Sequence, residues 1–223
     1  MTTDILVPRD AATIILMRQG RVGAEVLMGQ RGAAAAFMPS KYVFPGGAVD
    51  AGDAAVPLAA PLDALCAARL TGGGADGAAL AAAAIRELWE ETGLALGRPG
   101  RWPGDVPAGW GGFAARGLVP AASGLRFVFR AITPPGRSRR FDARFFLADA
   151  AGIDGDSADF SAACDELSHL HWIGLAEARA LDLPFITEVV LAEIGALLRD
   201  GPSPVGVPFF DNSGPRPTFR RIV

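Results

Sequence analysis

The sequence predicts an α+β fold in which a mixed central β-sheet lies between helices. Runs of apolar and β-branched residues of strand length occur in both halves of the chain, and two segments carry helix signals. These strands and helices do not alternate regularly, which argues against a doubly wound parallel sheet. The chain has 223 residues, half of them hydrophobic, so we expect residues 1–223 to form a single domain with a full core.

The first half of the chain predicts three strands. Residues 12–17 and 22–30 are rich in apolar and β-branched side chains, and Gln19-Gly20 between them signals a turn. Residues 42–44 predict a short third strand that ends at Pro45-Gly46-Gly47. Two adjacent glycines permit close backbone approach, which suits a tight loop beside a ligand.

The next segment, residues 54–77, is rich in Ala, Pro and Gly and contains a short predicted helix at 62–70. Residues 78–92 then predict a strong helix. Asp76 suits the N-cap of this helix, and Gly93 stands where a left-handed residue commonly ends one.

The second half predicts fewer regular elements. Residues 98–124 are loop-like, residues 125–133 and 141–148 predict a hairpin, and residues 167–173 predict a further strand. Pro184 suits the first turn of a helix that runs to about residue 198. The Pro-rich tail from residue 201 is expected to be irregular.

The bulk properties exclude several classes of protein. The net charge of −3 gives no basic footprint for DNA. The N-terminus lacks a signal-peptide pattern, and no window approaches the ~18 apolar residues of a membrane span. Cys66 and Cys164 are too few for a disulfide framework, so we expect reduced thiols in a cytoplasmic protein without a membrane partner.

The helix at 78–92 carries one arginine and three glutamates on one face. At 100° per residue, Arg86, Glu87, Glu90 and Glu91 fall within an arc of about 140°. The carboxylates repel one another, and the helix dipole disfavours them near the C-terminus. A divalent cation would remove both penalties, because Mg²⁺ binds carboxylate and phosphate oxygens. Taken alone, the segment is more typical of a solvated acidic face in which Arg86 pairs with Glu90.

The wider pattern resembles the Nudix family. The family signature reads Gly, five residues, Glu, seven residues, then Arg-Glu-aliphatic-x-Glu-Glu-x-Gly-aliphatic. Gly47 takes the first position after Phe-Pro-Gly, and residues 86–94 match the second half at every specified position. Asp53 stands where the signature has Glu, and residues 54–85 separate it from Arg86, so about 25 residues are inserted. Such insertions occur in relatives near the CoA-cleaving branch. We expect this one to loop out before the helix or, alternatively, to cover the site.

The resemblance implies an α/β/α sandwich and a hydrolase dependent on Mg²⁺ or Mn²⁺. Its small-molecule substrate would be a nucleoside diphosphate linked to another group, with CoA or a CoA derivative as a candidate. It implies Glu87, Glu90 and Glu91 as metal ligands, with Arg86 orienting Glu90. The backbone at Gly46 and Gly47 would line the metal and substrate site.

A general base and the substrate contacts come from outside the signature. Glu166, six residues before Trp172, occupies a position where relatives carry a distal base; Asp165, a signature glutamate or a plain exposed loop residue are the alternatives. Arg31, thirteen residues before Phe44, and Arg144 on the later hairpin are candidate substrate-binding residues. An ordinary surface role is the alternative for Arg144.

Two further groups of residues, three aromatic residues and two histidines, each have a functional and a structural interpretation. Three aromatic residues between 98 and 124 could stack on a base or cover the core; these are Trp102, Trp110 and Phe113. His169 and His171 would share one strand face, but a zinc site needs more ligands than these two.

Two competing hypotheses remain at the level of the whole protein. A Nudix domain without turnover could serve as a nucleotide-ligand sensor, since fold does not fix function. A prenyl diphosphate isomerase would require a catalytic cysteine near the site. A homodimer is an expected assembly for such a fold.

Overall fold

Strand β1 (Arg9–Gln19) forms the middle of the sheet because its central residues are apolar toward both faces. In the computed structural model, which describes residues 6–203, 205–214 and 216–223, the side chains of Ile14, Ile15 and Leu16 are fully buried. A strand covered on both faces is expected to be continuously apolar. The predicted strand at 12–17 is therefore the buried centre of a longer one.

The described residues contain twelve strands and five α-helices. The other strands are β2 Ala24–Arg31, β3 Tyr42–Val43, β4 Gly46–Ala48, β5 Ala95–Pro99, β6 Leu118–Pro120, β7 Arg126–Ile132, β8 Phe141–Asp149, β9 Ile153–Asp154, β10 Leu167–Gly174, β11 Val207–Asp211 and β12 Thr218–Ile222. The helices are α1 Ala64–Leu70, α2 Gly77–Thr92, α3 Gly111–Ala115, α4 Leu175–Ala178 and α5 Phe185–Asp200.

The central sheet is mixed, as predicted. Its strands follow the order β10-β2-β1-β8-β7-β11-β12, with β3 beside β2 and β4 beside β1. The pairs β1–β8 and β7–β11 are parallel, and the others are antiparallel. A smaller three-stranded sheet has the order β6-β5-β9.

Helices cover both faces of the central sheet, which confirms the predicted α/β/α sandwich. Helix α2 packs on one face, where Leu80, Ile85 and Leu88 join a large buried cluster. Helix α5 packs on the other face through Val190 and Ile194. The periodic apolar residues of each helix thus meet the apolar residues of the strands.

Two segments predicted to be irregular contain regular structure. The tail from residue 201 includes the hairpin β11–β12, which extends the central sheet beside β7. The segment 98–124 contains α3 and β6, with β5 beginning just before it. Both predictions were wrong because Pro and Gly weigh against regular structure locally, whereas pairing with a neighbouring strand depends on distant residues.

The insertion, defined here as residues 54–77, is part of the core rather than a projecting loop. Its helix α1 is capped by Asp63, whose Oδ1 accepts a hydrogen bond from the Cys66 backbone at 2.9 Å. Val56, Cys66 and Leu70 are buried in the cluster beneath α2. The expectation that the insertion loops out was therefore wrong, because its apolar side chains complete the same layer as α2.

A buried arginine fixes the end of this insertion. Arg144 on β8 donates from Nη1 to Asp10 and from Nη2 to the Gly73 carbonyl oxygen at 2.6 Å. Asp10 in turn accepts from the Ala75 backbone at 2.8 Å. A Cβ at Gly74 would lie 2.8 Å from Arg144 Nη2, and Gly74 has φ +83°, so glycine is required there.

The prediction that Arg144 binds substrate is not supported by this geometry. Its side chain is buried, and its donors are used within the protein by Asp10, Gly73 and the Asp142 carbonyl oxygen. Sequence position alone could not distinguish this inward-facing strand residue from its exposed neighbours on the hairpin. No helix in the described part of the chain has the length and apolarity needed to cross a membrane.

Candidate metal and substrate site

Helix α2 carries its acidic residues to the edge of β4. The helix begins where Asp76 Oδ2 accepts from the Ala78 backbone at 3.1 Å, and it ends at Gly93, which has φ +75°. These ends match the prediction to within one residue. Between them, five buried alanines surround the helix, and their small side chains let neighbouring elements lie close to it; they are Ala79, Ala81, Ala82, Ala83 and Ala84.

Gly46 and Gly47 on β4 make this close approach possible. A Cβ at Gly46 would lie 2.6 Å from the Ala12 carbonyl oxygen on β1. A Cβ at Gly47 would lie 2.5 Å from the carboxylate carbon of Glu87. The two glycines therefore admit the neighbouring strand on one side and a carboxylate of α2 on the other.

Glu87, which is partly buried, and Glu91, which is fully buried, form an acidic pair against this backbone. Glu91 Oε2 accepts from the Gly46 backbone at 2.9 Å. Burial raises the pKa of Glu87 to about 7, against the opposing effect of Arg86. Burial, followed by the charge of Glu87, raises the pKa of Glu91 well above its ordinary value. The pair thus resists carrying two negative charges unless a cation is present.

Glu91 also holds an unused acceptor. Its Oε1 is buried and has no hydrogen-bond partner among the described residues. An unsatisfied buried carboxylate oxygen is costly, and a hard cation that prefers oxygen ligands would satisfy it. The donors present therefore fit a divalent cation such as Mg²⁺.

Arg86 is a buried centre of ion pairs beside the acidic pair. Its Nε and Nη2 donate to the two carboxylate oxygens of Asp53, each at 3.0 Å. Its Nη1 donates to Glu87 at 2.8 Å and to Glu90 at 3.0 Å, and Nη2 also reaches the Ala48 carbonyl oxygen. The structure contains the predicted Arg86–Glu90 pair, but Asp53 is the more deeply buried partner.

Asp53 was noted in the sequence only as a departure from the signature. The structure places it 33 residues before Arg86 in the chain, yet directly against the Arg86 guanidinium. Its position six residues after Gly47 was the available signal, since an acid there can meet the arginine that begins the second half. The side chain of Asp53 is 2% exposed, which marks it as structural.

Glu90 is more exposed than Glu87 and Glu91. Its side chain is 39% exposed and ion-paired with Arg86. Within residues 6–203, 205–214 and 216–223, no three His, Cys, Asp or Glu side chains are close enough together to form a complete metal site. The structure therefore brings two of the three predicted ligands together, leaving room for substrate oxygens and water as the others.

Glu166 lies at the edge of the acidic pair. Its Oε1 accepts from Arg31 Nη2 at 2.9 Å. After burial and nearer charges, Glu166 contributes to the raised pKa of both Glu87 and Glu91. The structure thus joins two residues predicted from different parts of the chain, Arg31 and Glu166, and the charges of both act on Glu91.

A β-bulge in β10 follows Glu166. Ser168 pairs with Gln30 and His171 with Met28, so three steps along β10 match two along β2. His169 has φ +51° in this bulge. The prediction that His169 and His171 share one strand face was wrong, because the bulge interrupts the alternation of side chains.

The aromatic residues of segment 98–124 belong to the core. Trp110 and Phe113 are buried and stack edge-to-face at 5.3 Å between ring centroids. Trp102 donates from its indole nitrogen to the Leu118 carbonyl oxygen at 2.9 Å. The interpretation as hydrophobic cover is therefore preferred over base stacking.

Comparisons with known proteins agree with this site. No protein-family model matches the chain. The chain is 29% identical over 177 residues to "Putative nudix hydrolase 7" of Caenorhabditis elegans, which covers 74% of this chain and 51% of that protein. The chain therefore spans about half the length of this curated relative.

Solved structures of Nudix proteins are also similar to this chain. A NUDIX hydrolase from Alicyclobacillus acidocaldarius has a TM-score of 0.65 and 28% identity, covering 86% of this chain and 91% of the other. The NUDIX domain of Shewanella oneidensis NrtR, complexed with ADP ribose, has a TM-score of 0.50 and 13% identity, covering 86% and 90%. This second likeness concerns the fold alone. Because these relatives share the fold and residues 86–94 carry the signature on α2, the chain is similar to the Nudix hydrolases in both sequence and structure.

Proposed function

We propose that this protein is a divalent-metal-dependent pyrophosphohydrolase acting on a nucleoside diphosphate linked to another group. The observation that carries the proposal is the acidic pair Glu87 and Glu91 against Gly46 and Gly47, with Glu91 Oε1 lacking a partner among the described residues. Two carboxylates largely shielded from solvent, one of them with an unpartnered oxygen, suit a cation that also binds phosphate.

Glu87 and Glu91 would hold Mg²⁺ or Mn²⁺, and Glu90 would join through its exposed oxygen. When bound, such an ion neutralises phosphate charge and favours the ionised form of a bound water. Gly46 contributes by donating its backbone N–H to Glu91, which fixes the direction of that carboxylate.

The remaining residues of the site hold the metal-binding side chains in position or accept a proton from water. Arg86 holds Glu87 and Glu90 in place through its ion pairs, and Asp53 holds Arg86. Glu166 is our candidate general base, because its carboxylate is half-exposed at the edge of the acidic pair and can accept a proton from water. Phosphoryl transfer depends chiefly on such positioning and on electrostatics.

Nucleotide-type diphosphates form the proposed substrate class, and CoA or a CoA derivative is one member to test. The NrtR domain with ADP ribose shows that a protein of this fold can hold a nucleoside diphosphate linked to a sugar. Arg31 is the proposed substrate contact, because its guanidinium lies beside the acidic pair.

The test is a panel of ADP-ribose, dinucleoside polyphosphates, CoA, acyl-CoA, NADH and capped RNA with Mg²⁺ or Mn²⁺. We expect hydrolysis of at least one compound, abolished by EDTA. Glu91→Gln should lower kcat by at least about 100-fold, because it removes a ligand charge. Glu188→Gln, on the exposed face of α5, is the matched control and should leave kcat unchanged.

Two outcomes would contradict the proposal. Equal rates for Glu91→Gln and wild type would remove the metal assignment. Tight binding of a panel member without hydrolysis would instead support the alternative function, a ligand sensor without turnover.

A further inference from the structure

The ion pair between Arg31 and Glu166 joins two strands at the edge of the acidic pair. Arg31 ends β2, and Glu166 immediately precedes β10. The Arg31 side chain is 18% exposed and that of Glu166 is 52% exposed. Arg31 also lowers the pKa of Glu91 against the larger effect of burial, so its charge acts on the acidic pair as well as on Glu166.

One N–H donor of Arg31 has no hydrogen-bond acceptor among the described residues. Its Nε is buried and has no acceptor among the described residues. A guanidinium carries five N–H donors in a fixed fork that matches the oxygens of a phosphate group. A buried donor without an acceptor costs free energy, and an anionic oxygen of a bound ligand would satisfy it.

The backbone of Arg31 is fixed, whereas the ion pair is not. Its N–H donates to the Lys41 carbonyl oxygen at 2.9 Å, and its carbonyl oxygen accepts from the Ser40 backbone at 3.1 Å. On the other side Arg31 pairs with Leu167 of β10. A half-exposed ion pair contributes little to stability, so the guanidinium can accept a second anionic partner at small cost.

We propose that Arg31 is a positioning residue that couples the diphosphate to Glu166. Through one donor it holds the Glu166 carboxylate beside Glu87 and Glu91, and through Nε it binds an anionic phosphate oxygen of the substrate. Glu166 is therefore in place when the phosphate is bound. This inference rests on the proposed function, because it assumes that the site accepts a diphosphate.

The test is a double-mutant cycle on the hydrolysed substrate. Arg31→Gln should raise KM by roughly 10-fold or more, from the loss of a charge-assisted hydrogen bond, and should lower kcat by displacing Glu166. Glu166→Gln should lower kcat by about 100-fold or more. In the Glu166→Gln background, Arg31→Gln should still raise KM but should change kcat by less than about twofold.

Two kinetic results would overturn the inference. Independent, multiplicative effects on kcat would show that Arg31 does not act through Glu166. An unchanged KM in Arg31→Gln would show that Nε does not bind the substrate. Arg31→Lys keeps the positive charge but loses the planar guanidinium. It should raise KM and leave Tm unchanged, which separates positioning from folding.

A control and a binding measurement complete the design. Lys41 and Asp182 form an ion pair at the far end of the same β2–β3 loop, and Lys41→Gln should leave KM and kcat unchanged. Calorimetric titration with inorganic pyrophosphate and Mn²⁺ needs no turnover. If the wild type hydrolyses nothing, the proposed function fails. A pyrophosphate affinity at least about 10-fold weaker in Arg31→Gln would then still support the anion contact, and an equal affinity would overturn it.

Discussion

Replacing Asp53 by alanine tests whether the buried ion pair, rather than the exposed ones around it, holds the site together. Asp53 accepts two hydrogen bonds from Arg86 at 3.0 Å and one from the Asp50 backbone at 2.8 Å. Asp50 also lies near Arg86, at 3.8 Å, but its side chain is 64% exposed. The same arginine thus has a buried and an exposed aspartate, which makes Asp50→Ala the matched control.

The expected cost follows from burial. Removing one partner of a buried ion pair destabilises a protein by about 3–5 kcal/mol, because the other charge remains buried. Arg86 keeps Glu87 and Glu90, so we expect the lower end, about 3 kcal/mol. For a chain of this size, that corresponds to a fall in Tm of roughly 6–12 °C. Asp50→Ala should cost less than about 0.5 kcal/mol.

Urea unfolding followed by circular dichroism measures both variants, with equal slopes confirming the same unfolding reaction. Asp53→Ala should also lower kcat, because Arg86 no longer holds Glu87 in one orientation. If the free energies of unfolding of the two variants agreed within about 1 kcal/mol, the assignment of Asp53 as the anchor of Arg86 would be refuted.

Three further predictions concern pH, the glycine turn and the insertion. Without metal, the raised pKa of Glu87 and Glu91 means that the folded state binds more protons than the unfolded state between about pH 4.5 and 7, so Tm in EDTA should fall as pH rises through that window. Glu87→Gln should flatten this fall, and Mg²⁺ should reduce it; a parallel fall in wild type and variant would contradict the prediction. Gly47→Ala should weaken Mn²⁺ binding by about 10-fold or more in a calorimetric titration, whereas Gly124→Ala, where a Cβ meets nothing within 4 Å, should not. Arg144→Leu should lower Tm and expose the insertion to limited proteolysis without raising KM; an unchanged Tm with a raised KM would restore Arg144 as a substrate contact.

The sequence predicted the elements whose signals are local. Helix α2 was placed to within one residue because its cap, its apolar face and its terminal glycine lie close together in the chain. The acidic face of α2 and its pairing with Gly46 and Gly47 followed from the same segment and the signature. The cap, the apolar face and the acidic face depend on spacing along one helix, which a sequence contains directly, whereas the approach of Gly46 and Gly47 was expected only from the signature.

What the sequence did not predict depends on contacts between distant segments. The hairpin β11–β12 joins the central sheet because Phe209 pairs with Arg130, 79 residues earlier, and Pro-rich composition carries no sign of that pairing. Arg144 looked like its exposed neighbours until the Asp10 and Gly73 contacts placed it inside. The left-handed residue His169 lies in the bulge that interrupts the alternation of β10, and nothing in the local composition indicated it.

The insertion changes how the two halves of the signature are joined. A flexible connection of this length would add a modest loop-closure entropy and would let Asp53 and Arg86 separate freely. Here the connection is instead anchored by Leu70 beneath α2 and by Gly73 against Arg144. The two halves are consequently linked by a folded spacer, so unfolding the spacer and opening the metal site should be one cooperative event.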